Sequence, residues 1–154
     1  MQNNPETDYK THLKTFSDLS TTDLYEIIKL RVDVFVVEQD CPYSDLDGKD
    51  YGARHYYYQL ANNRVIGYVR ILDKGVSYKE MAIGRVIIDE SYRHLKLGSK
   101  IMNEAIDIIK GLGETEIRIS AQKHLKSFYG SLGFKQSSEE YLEDNIPHIQ
   151  MFKQ

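Results

Sequence analysis

Ile87-Ile88-Asp89-Glu90-Ser91-Tyr92-Arg93-His94-Leu95-Lys96-Leu97-Gly98-Ser99-Lys100 is the stretch whose reading decides the fold. A β-branched strand runs into a short turn, and the turn runs directly into an amphipathic helix with glycine in its first turn. Such a junction aims several unpaired backbone N–H groups at one point, and the helix dipole adds partial positive charge there. Arg93, His94 and Lys96 cluster beside it. The physics describes a cradle for a phosphate or pyrophosphate. The residues alone leave a second reading open, an ordinary structural crossover with a basic surface cluster.

Working outward, Leu97, Ile101, Met102, Ala105, Ile108 and Ile109 form a helical stripe over Leu97–Lys110, which Gly111 and Gly113 terminate. The segment Met81–Ile88 reads as the strand before the turn. Upstream, His55–Ala61 and Val65–Leu72 read as two strands joined at Asn62-Asn63, where asparagine tolerates the positive φ of a tight hairpin. Ser17–Asp23 is rich in helix-capping side chains, and the apolar spacing of Leu24, Ile27, Ile28, Val34 and Phe35 predicts a helix over Thr22–Val37. Thr11–Phe16 is a candidate first strand. Downstream, Thr115–Ala121 alternates as a strand and Lys123–Leu132 reads as a short helix ended by Gly133. Phe134-Lys135-Gln136 and His148–Phe152 supply two last strands. The order β-α-β-β-β-α-β-α-β-β predicts an α/β fold with a mixed central sheet flanked by helices. We expect a flexible N-terminus over residues 1–10 and one domain over 11–154.

Asp40–Ala53 is rich in turn formers and holds Asp40, Asp45, Asp47 and Asp50. The acidic spacing is wrong for a calcium loop, because glycine follows the second acidic position and no glutamate closes it. The segment is expected to be a solvated, acidic rim. Arg31 lies on the apolar face of the first helix and needs a partner, with Glu38 or a later acidic residue the candidates. Arg70 and Arg85 stand mid-strand among apolar neighbours; they either bind a carboxylate of the acceptor or, the reading we favour, pair with Asp45, Asp47 or Glu38 beneath this loop.

The chain has 154 residues, 41% apolar and 28% charged, which suits one globular domain and excludes a disordered tail or fibrous repeat. No apolar run is long enough to span a bilayer, so no membrane partner is expected. With 20 Lys+Arg against 23 Asp+Glu the formal charge is −3, without the basic excess typical of phosphate-backbone binders, and nucleic acid is set aside. The single cysteine, Cys41, cannot form an internal disulfide, and no secretory start is visible; a cytoplasmic protein is expected. No metal-ligand spacing occurs, so no metal is expected.

The junction resembles motif A of the GNAT acyltransferases, the acetyl-coenzyme A-dependent N-acetyltransferases. The family pattern Arg/Gln-x-x-Gly-x-Gly/Ala stands here as Arg93-x-x-Lys96-x-Gly98, with lysine in place of the first glycine. A second family signature stands as Phe128-Tyr129-Gly130-Ser131-Leu132-Gly133-Phe134. The similarity is greatest to the ElaA-type branch, through Leu30-Arg31-x-x-Val34-Phe35-Val36-Val37-Glu38-Gln39-x-Cys41-Pro42-Tyr43 and Asp45-x-Asp47-Gly48. It continues through Arg54-His55, Ile83-Gly84-Arg85-Val86 and Ile146-Pro147-His148-Ile149.

That resemblance implies a GNAT fold and acetyl-coenzyme A as the acyl donor. It implies that backbone at Ile87 and Ile88 pairs with the pantetheine arm, and that Arg93, His94, Leu95, Lys96, Leu97, Gly98 and Ser99 hold the pyrophosphate. Gln122 would hydrogen-bond the pantetheine or order a water, and Tyr129 would protonate the departing thiolate. Many relatives carry a glutamate base on the strand over Met81–Ile88, where this chain has Ala82; the candidates left are Glu38, His55 and His148. The implied reaction is transfer of acetyl to a primary amine on a small molecule or peptide, by direct attack, entering near Asp40–Ala53 and Asn145–His148. The acidic loop would then favour a cationic amine. Two alternatives stay open: a non-catalytic acyl-coenzyme A sensor, and a protein-interaction subunit without cofactor. A homodimer is compatible with the resemblance.

Overall fold

A computed structural model describes residues 8–154. Strand β1 (Lys10–Thr15) leads to helix α1 (Thr21–Arg31), whose first turn is capped by Ser20 accepting from the Asp23 N–H at 3.0 Å. The antiparallel strands β2 (Arg54–Gln59), β3 (Val65–Leu72) and β4 (Met81–Ile88) follow, and α2 (Leu97–Gly111) comes next. Strand β5 (Ile117–Gln122), the short α3 (Lys126–Ser131), β6 (Lys135–Gln136), β7 (Tyr141–Glu143) and β8 (Ile146–Lys153) complete the chain. The eight strands form one mixed sheet in the order β1-β2-β3-β4-β5-β8-β6, with β7 also on β8. The expected α/β architecture holds. Of the N-terminus expected to be flexible, residues 1–7 lie outside the described residues, and Lys10 already belongs to β1.

The pleat sends alternate residues to opposite faces, and both faces are covered. Tyr56, Tyr58, Ile66, Val69 and Ile71 pack with Ile101, Met102, Ala105 and Ile109 of α2, while Tyr57, Val65 and Tyr68 pack with Ile27 and Leu30 of α1. The three consecutive tyrosines of β2 therefore serve both cores. Asn63 takes the expected positive φ of +73° in the β2–β3 connection.

Three elements differ from the sequence reading. Helix α1 stops at Arg31, and Val32–Glu38 winds on as a π-helix, with the Cys41 N–H donating to the Val36 carbonyl. Apolar spacing alone does not separate these two helices, because both keep Val34 and Phe35 against the core. Strand β7 was not expected; it meets β8 through a two-residue turn in which Asp144 and Asn145 both have positive φ, +49° and +63°. That Asp-Asn pair is the sequence signal for a type I′ hairpin.

The third difference lies in the Asp40–Ala53 loop, which is largely exposed as expected but turns three of its four aspartates onto arginines. Asp45 is only 3% exposed. Arg31, at 1% exposure, donates through Nε to Asp45 at 2.8 Å and through Nη1 to Asp50 at 2.7 Å. Arg70 forks onto Asp47 with two 2.8 Å contacts and reaches Asp50 at 3.1 Å. Arg85 Nε lies 2.8 Å from Asp45, and its Nη2 donates to the Asp45 carbonyl at 3.0 Å. The expected structural pairing of Arg70 and Arg85 is present, and of the partners expected for Arg31 the later acidic residues Asp45 and Asp50 take it, not Glu38. Three guanidiniums on buried elements draw the aspartates inward, because an unpaired buried charge is far more costly than an ordered loop.

This network makes stability acid-sensitive. Burial works to raise Asp47 and Asp50, but hydrogen bonds from Arg70 and Arg31 outweigh it and hold both below the ordinary 3.8. Burial lowers His55 below its ordinary 6.5. In each case the unfolded chain takes up protons first, so the stabilisation is complete above the unfolded value and is lost as pH falls through the folded one. Urea midpoints are expected to slip gently below about pH 6.5 as His55 titrates, and steeply below about pH 4 as the aspartates follow. Equal midpoints at about pH 7 and pH 3.5 would show that the network contributes nothing.

Candidate active site

The site begins where the sheet comes apart. Strands β4 and β5 pair in parallel only at Met81 with Ile117 and Ala82 with Arg118. Beyond that point β5 stays bound to β8 as far as Gln122, while β4 continues to Ile88 against β3. The β4 side is displaced by a bulge: one extra residue stands in β4 between the pairs Arg70–Gly84 and Tyr68–Ile87, and Arg85 there has a φ of +52°. A bulge bends its strand and re-aims side chains. The two strands leave a fork whose facing backbone edges have no strand partner.

A cleft of about 460 Å³ fills the fork. Ile83 to Ile88 line one arm; Ile119, Ser120 and Gln122 line the other. The π-helix contributes Val34, Phe35 and Glu38, with Gln39 just beyond it. Tyr129 of α3 reaches in beside His124 and Leu125. The far end holds Tyr43, Glu143, Asp144, Ile146 and His148.

Ile87 and Ile88, expected to pair with the pantetheine arm, line the cleft, as does Arg93 of the residues expected to hold the pyrophosphate. His94 to Ser99 are not part of that lining; they form the adjoining turn and first turn of α2. Asp89 caps this turn by accepting from the Ser91 N–H at 3.0 Å. Lys96 takes the left-handed conformation, φ +57°, that a glycine adopts freely. The lysine thus keeps the turn, at a backbone cost of roughly 1–2 kcal/mol. Gly98 faces the Phe128 ring, where an added Cβ would sit at an ordinary 3.6 Å, so alanine fits as well as glycine.

Tyr129 is 8% exposed, and its hydroxyl has no hydrogen-bond partner among the described residues. Burial pushes its pKa up to about 12, so it carries its proton throughout the neutral range. Gln122 donates to Gln39 across the cleft at 3.2 Å. His148 is buried; its Nδ1 lies 2.7 Å from the Ile146 carbonyl, which can only accept, so this nitrogen carries the hydrogen. The other nitrogen, Nε2, stands 3.2 Å from the Glu143 carboxylate. Glu38 accepts a fork of two hydrogen bonds from Arg93, 2.5 and 2.6 Å, which hold its carboxyl below the usual range.

His55 lies outside the cleft. It is 1% exposed, with Nδ1 2.6 Å from the Tyr68 hydroxyl and Nε2 2.9 Å from the Asp50 carbonyl, and it belongs to the charged network under the loop. This corrects its reading as a candidate base: both ring nitrogens are taken. Ala82 is also outside, in a small apolar cluster with Ala53 and Leu72. Asp45, Asp47 and Asp50 are spent on arginines, so the loop does not present the free acidic surface expected of it. The cleft's acidity not held by a lysine or arginine stands instead at Glu143, beside His148, and Asp144, which the sequence reading missed because the hairpin carrying them was missed. Among the described residues, no group of three or more His, Cys, Asp or Glu is placed to hold a metal ion. No helix among them is long and apolar enough to cross a membrane.

Comparisons with known proteins agree with this geometry. The family model described as an acetyltransferase (GNAT) domain matches residues 26–154. The protein ElaA of Escherichia coli K12 is 39% identical over 140 residues, covering 90% of this chain and 92% of ElaA. The crystal structure of E. coli ElaA superposes with a TM-score of 0.86 at 36% identity, covering 96% of this chain and all of that one. That of an acyl-CoA N-acyltransferase from Pseudomonas aeruginosa superposes with a TM-score of 0.90, also at 36% identity, over 96% of this chain and 100% of that one. A GNAT family acetyltransferase from Elizabethkingia anophelis, crystallised with acetyl-CoA bound, shares the fold at 14% identity and a TM-score of 0.67, over 96% of this chain and 98% of that one.

Proposed function

The chain belongs to the GNAT acetyltransferase family, and on that premise we propose that it transfers the acetyl group of acetyl-coenzyme A to a primary amine by direct attack. The observation that carries this reading is the fork between β4 and β5, with strand edges unpaired among the described residues on both arms and the otherwise buried Tyr129, whose hydroxyl has no partner there, lining it. A peptide-like arm laid in the fork would find backbone partners on β4, and a thiol leaving group would find a proton on Tyr129.

When bound, acetyl-coenzyme A supplies the thioester whose acetyl carbon the amine nitrogen attacks. Tyr129 gives its hydroxyl proton to the sulfur as the carbon–sulfur bond breaks; a phenol at about 12 releases it only toward a developing thiolate. Backbone N–H groups of the Ile83–Ile88 edge polarise the carbonyl, a contribution of roughly 3–4 kcal/mol per well-placed donor. The amine's proton goes to His148 Nε2, the ring nitrogen that the Ile146 carbonyl does not hold; Glu143, 3.2 Å from it, must turn aside to admit the amine and then pairs with the imidazolium that forms. Glu38 is the weaker base while it is bound to Arg93. The carboxylates Glu143 and Asp144 at this end of the cleft, neither paired with a lysine or arginine among the described residues, favour an acceptor that arrives as an ammonium ion.

Titration calorimetry with acetyl-coenzyme A, followed by an acetylation screen over small primary amines and lysine peptides, tests the proposal. Binding in the micromolar range and turnover of at least one amine are expected. His148→Gln is expected to lower kcat by about 100-fold. Binding without turnover of any amine points to an acyl-coenzyme A sensor; no binding by folded protein overturns the proposal.

A further inference from the structure

Arg93 is the cleft's guanidinium nearest the turn, and it is already occupied. Its Nε donates to the Ile88 carbonyl at 3.0 Å, which fixes the plane of the group. Its Nη1 and Nη2 both point at Glu38, one to each carboxylate oxygen, at 2.5 and 2.6 Å. A guanidinium fork recognises carboxylate and phosphate with the same two parallel N–H groups, so the edge that holds Glu38 is the edge a diphosphate needs.

Glu38 reaches that edge because of the π-helix. The wide turns over Val32–Glu38 carry the end of the segment over the fork, where consecutive residues touch opposite arms: Glu38 touches Arg93 beside β4, and Gln39 touches Gln122 at the end of β5. The pair is partly open to solvent, with side-chain exposures of 43% for Arg93 and 33% for Glu38. An ion pair so placed is screened and gives way to a stronger anion.

We propose that Glu38 is a built-in competitor for the donor's diphosphate: its carboxylate holds the Arg93 fork in the free protein, and displacing it sets the affinity for coenzyme A. This rests on the acetyl-coenzyme A reading above. The competition runs through one contact, which separates it from general repulsion between acidic residues and a polyanion. Glu90 provides the comparison. It is an exposed carboxylate on the same turn, close enough to act on Arg93 through space but not hydrogen-bonded to it.

Calorimetric titration with coenzyme A of the wild type, Glu38→Gln, Glu90→Gln, Arg93→Ala and the double variant Glu38→Gln/Arg93→Ala tests this. Glu38→Gln is expected to tighten binding by about fivefold. Glu90→Gln should change it by less than about twofold, and Arg93→Ala should weaken it. In the Arg93→Ala background the gain from Glu38→Gln should vanish, since there is no fork left to release. Unchanged or weaker binding by Glu38→Gln overturns the proposal alone. So does an equal gain in Glu90→Gln, or a gain that survives without Arg93. Folded wild-type protein that binds no coenzyme A overturns the donor reading beneath it and the proposal with it.

Discussion

Tyr129→Phe is expected to lower kcat for amine acetylation by about 10²- to 10³-fold while changing coenzyme A affinity by less than about threefold. The substitution deletes one oxygen and keeps the ring, which packs edge-on against Phe128 and Phe134 at centroid distances of 5.0 and 6.2 Å. The hydroxyl has no partner to lose within the described structure, so stability should hold or rise slightly. The pH dependence separates this role from others. With its pKa near 12, Tyr129 does not titrate in the assayable range, and the wild-type profile should show no alkaline limb from it. Full activity in Tyr129→Phe would reduce the residue to packing and leave the leaving group to solvent.

Asp45→Ala is the substitution expected to damage the fold most, by about 3–5 kcal/mol in urea unfolding. Asp45 is shared by Arg31, Arg85 and the Tyr43 hydroxyl, the last at 2.7 Å. Its removal leaves Arg31, at 1% exposure, with Asp50 as its remaining carboxylate partner. The exposed pair Lys29–Asp33 gives the contrast, because there the side chains are 59% and 54% exposed. Asp33→Asn should cost under about 0.5 kcal/mol. Similar losses for the two variants would mean that burial does not decide the strength of these pairs.

Much of the fold is legible in local patterns. Strand β4 and the start of α2 fall where the alternation and the 3.6-residue stripe put them, since each pattern reports which residues one face must bury. The π-helix escaped because it keeps the same apolar residues inside as an α-helix would. Strand β7 escaped because three residues are too few for a period, although Asp144-Asn145 marked its turn. The site divides in the same way. Arg93 and Tyr129 stand in contiguous motifs and could be named. Glu143 and Tyr43 come from separate segments that only the folded chain brings to one cleft.

By itself the sequence determined the family, the order of elements apart from β7 and the π-helix, the strand–turn–helix junction and the tyrosine as a candidate acid, because these are encoded in neighbouring residues or in one short period. The tertiary structure alone decided which charges are free. Seven arginines and aspartates or glutamates around the loop and cleft (Arg31, Arg70, Arg85, Asp45, Asp47, Asp50 and Glu38) look equally available in one dimension. Folding pairs them over separations of up to 55 residues, the reach of Arg93 to Glu38, and leaves Glu143 and Asp144 as the cleft's carboxylates that no lysine or arginine among the described residues holds. Pairing follows burial and distance, since a charge removed from water takes the nearest opposite charge that can reach it.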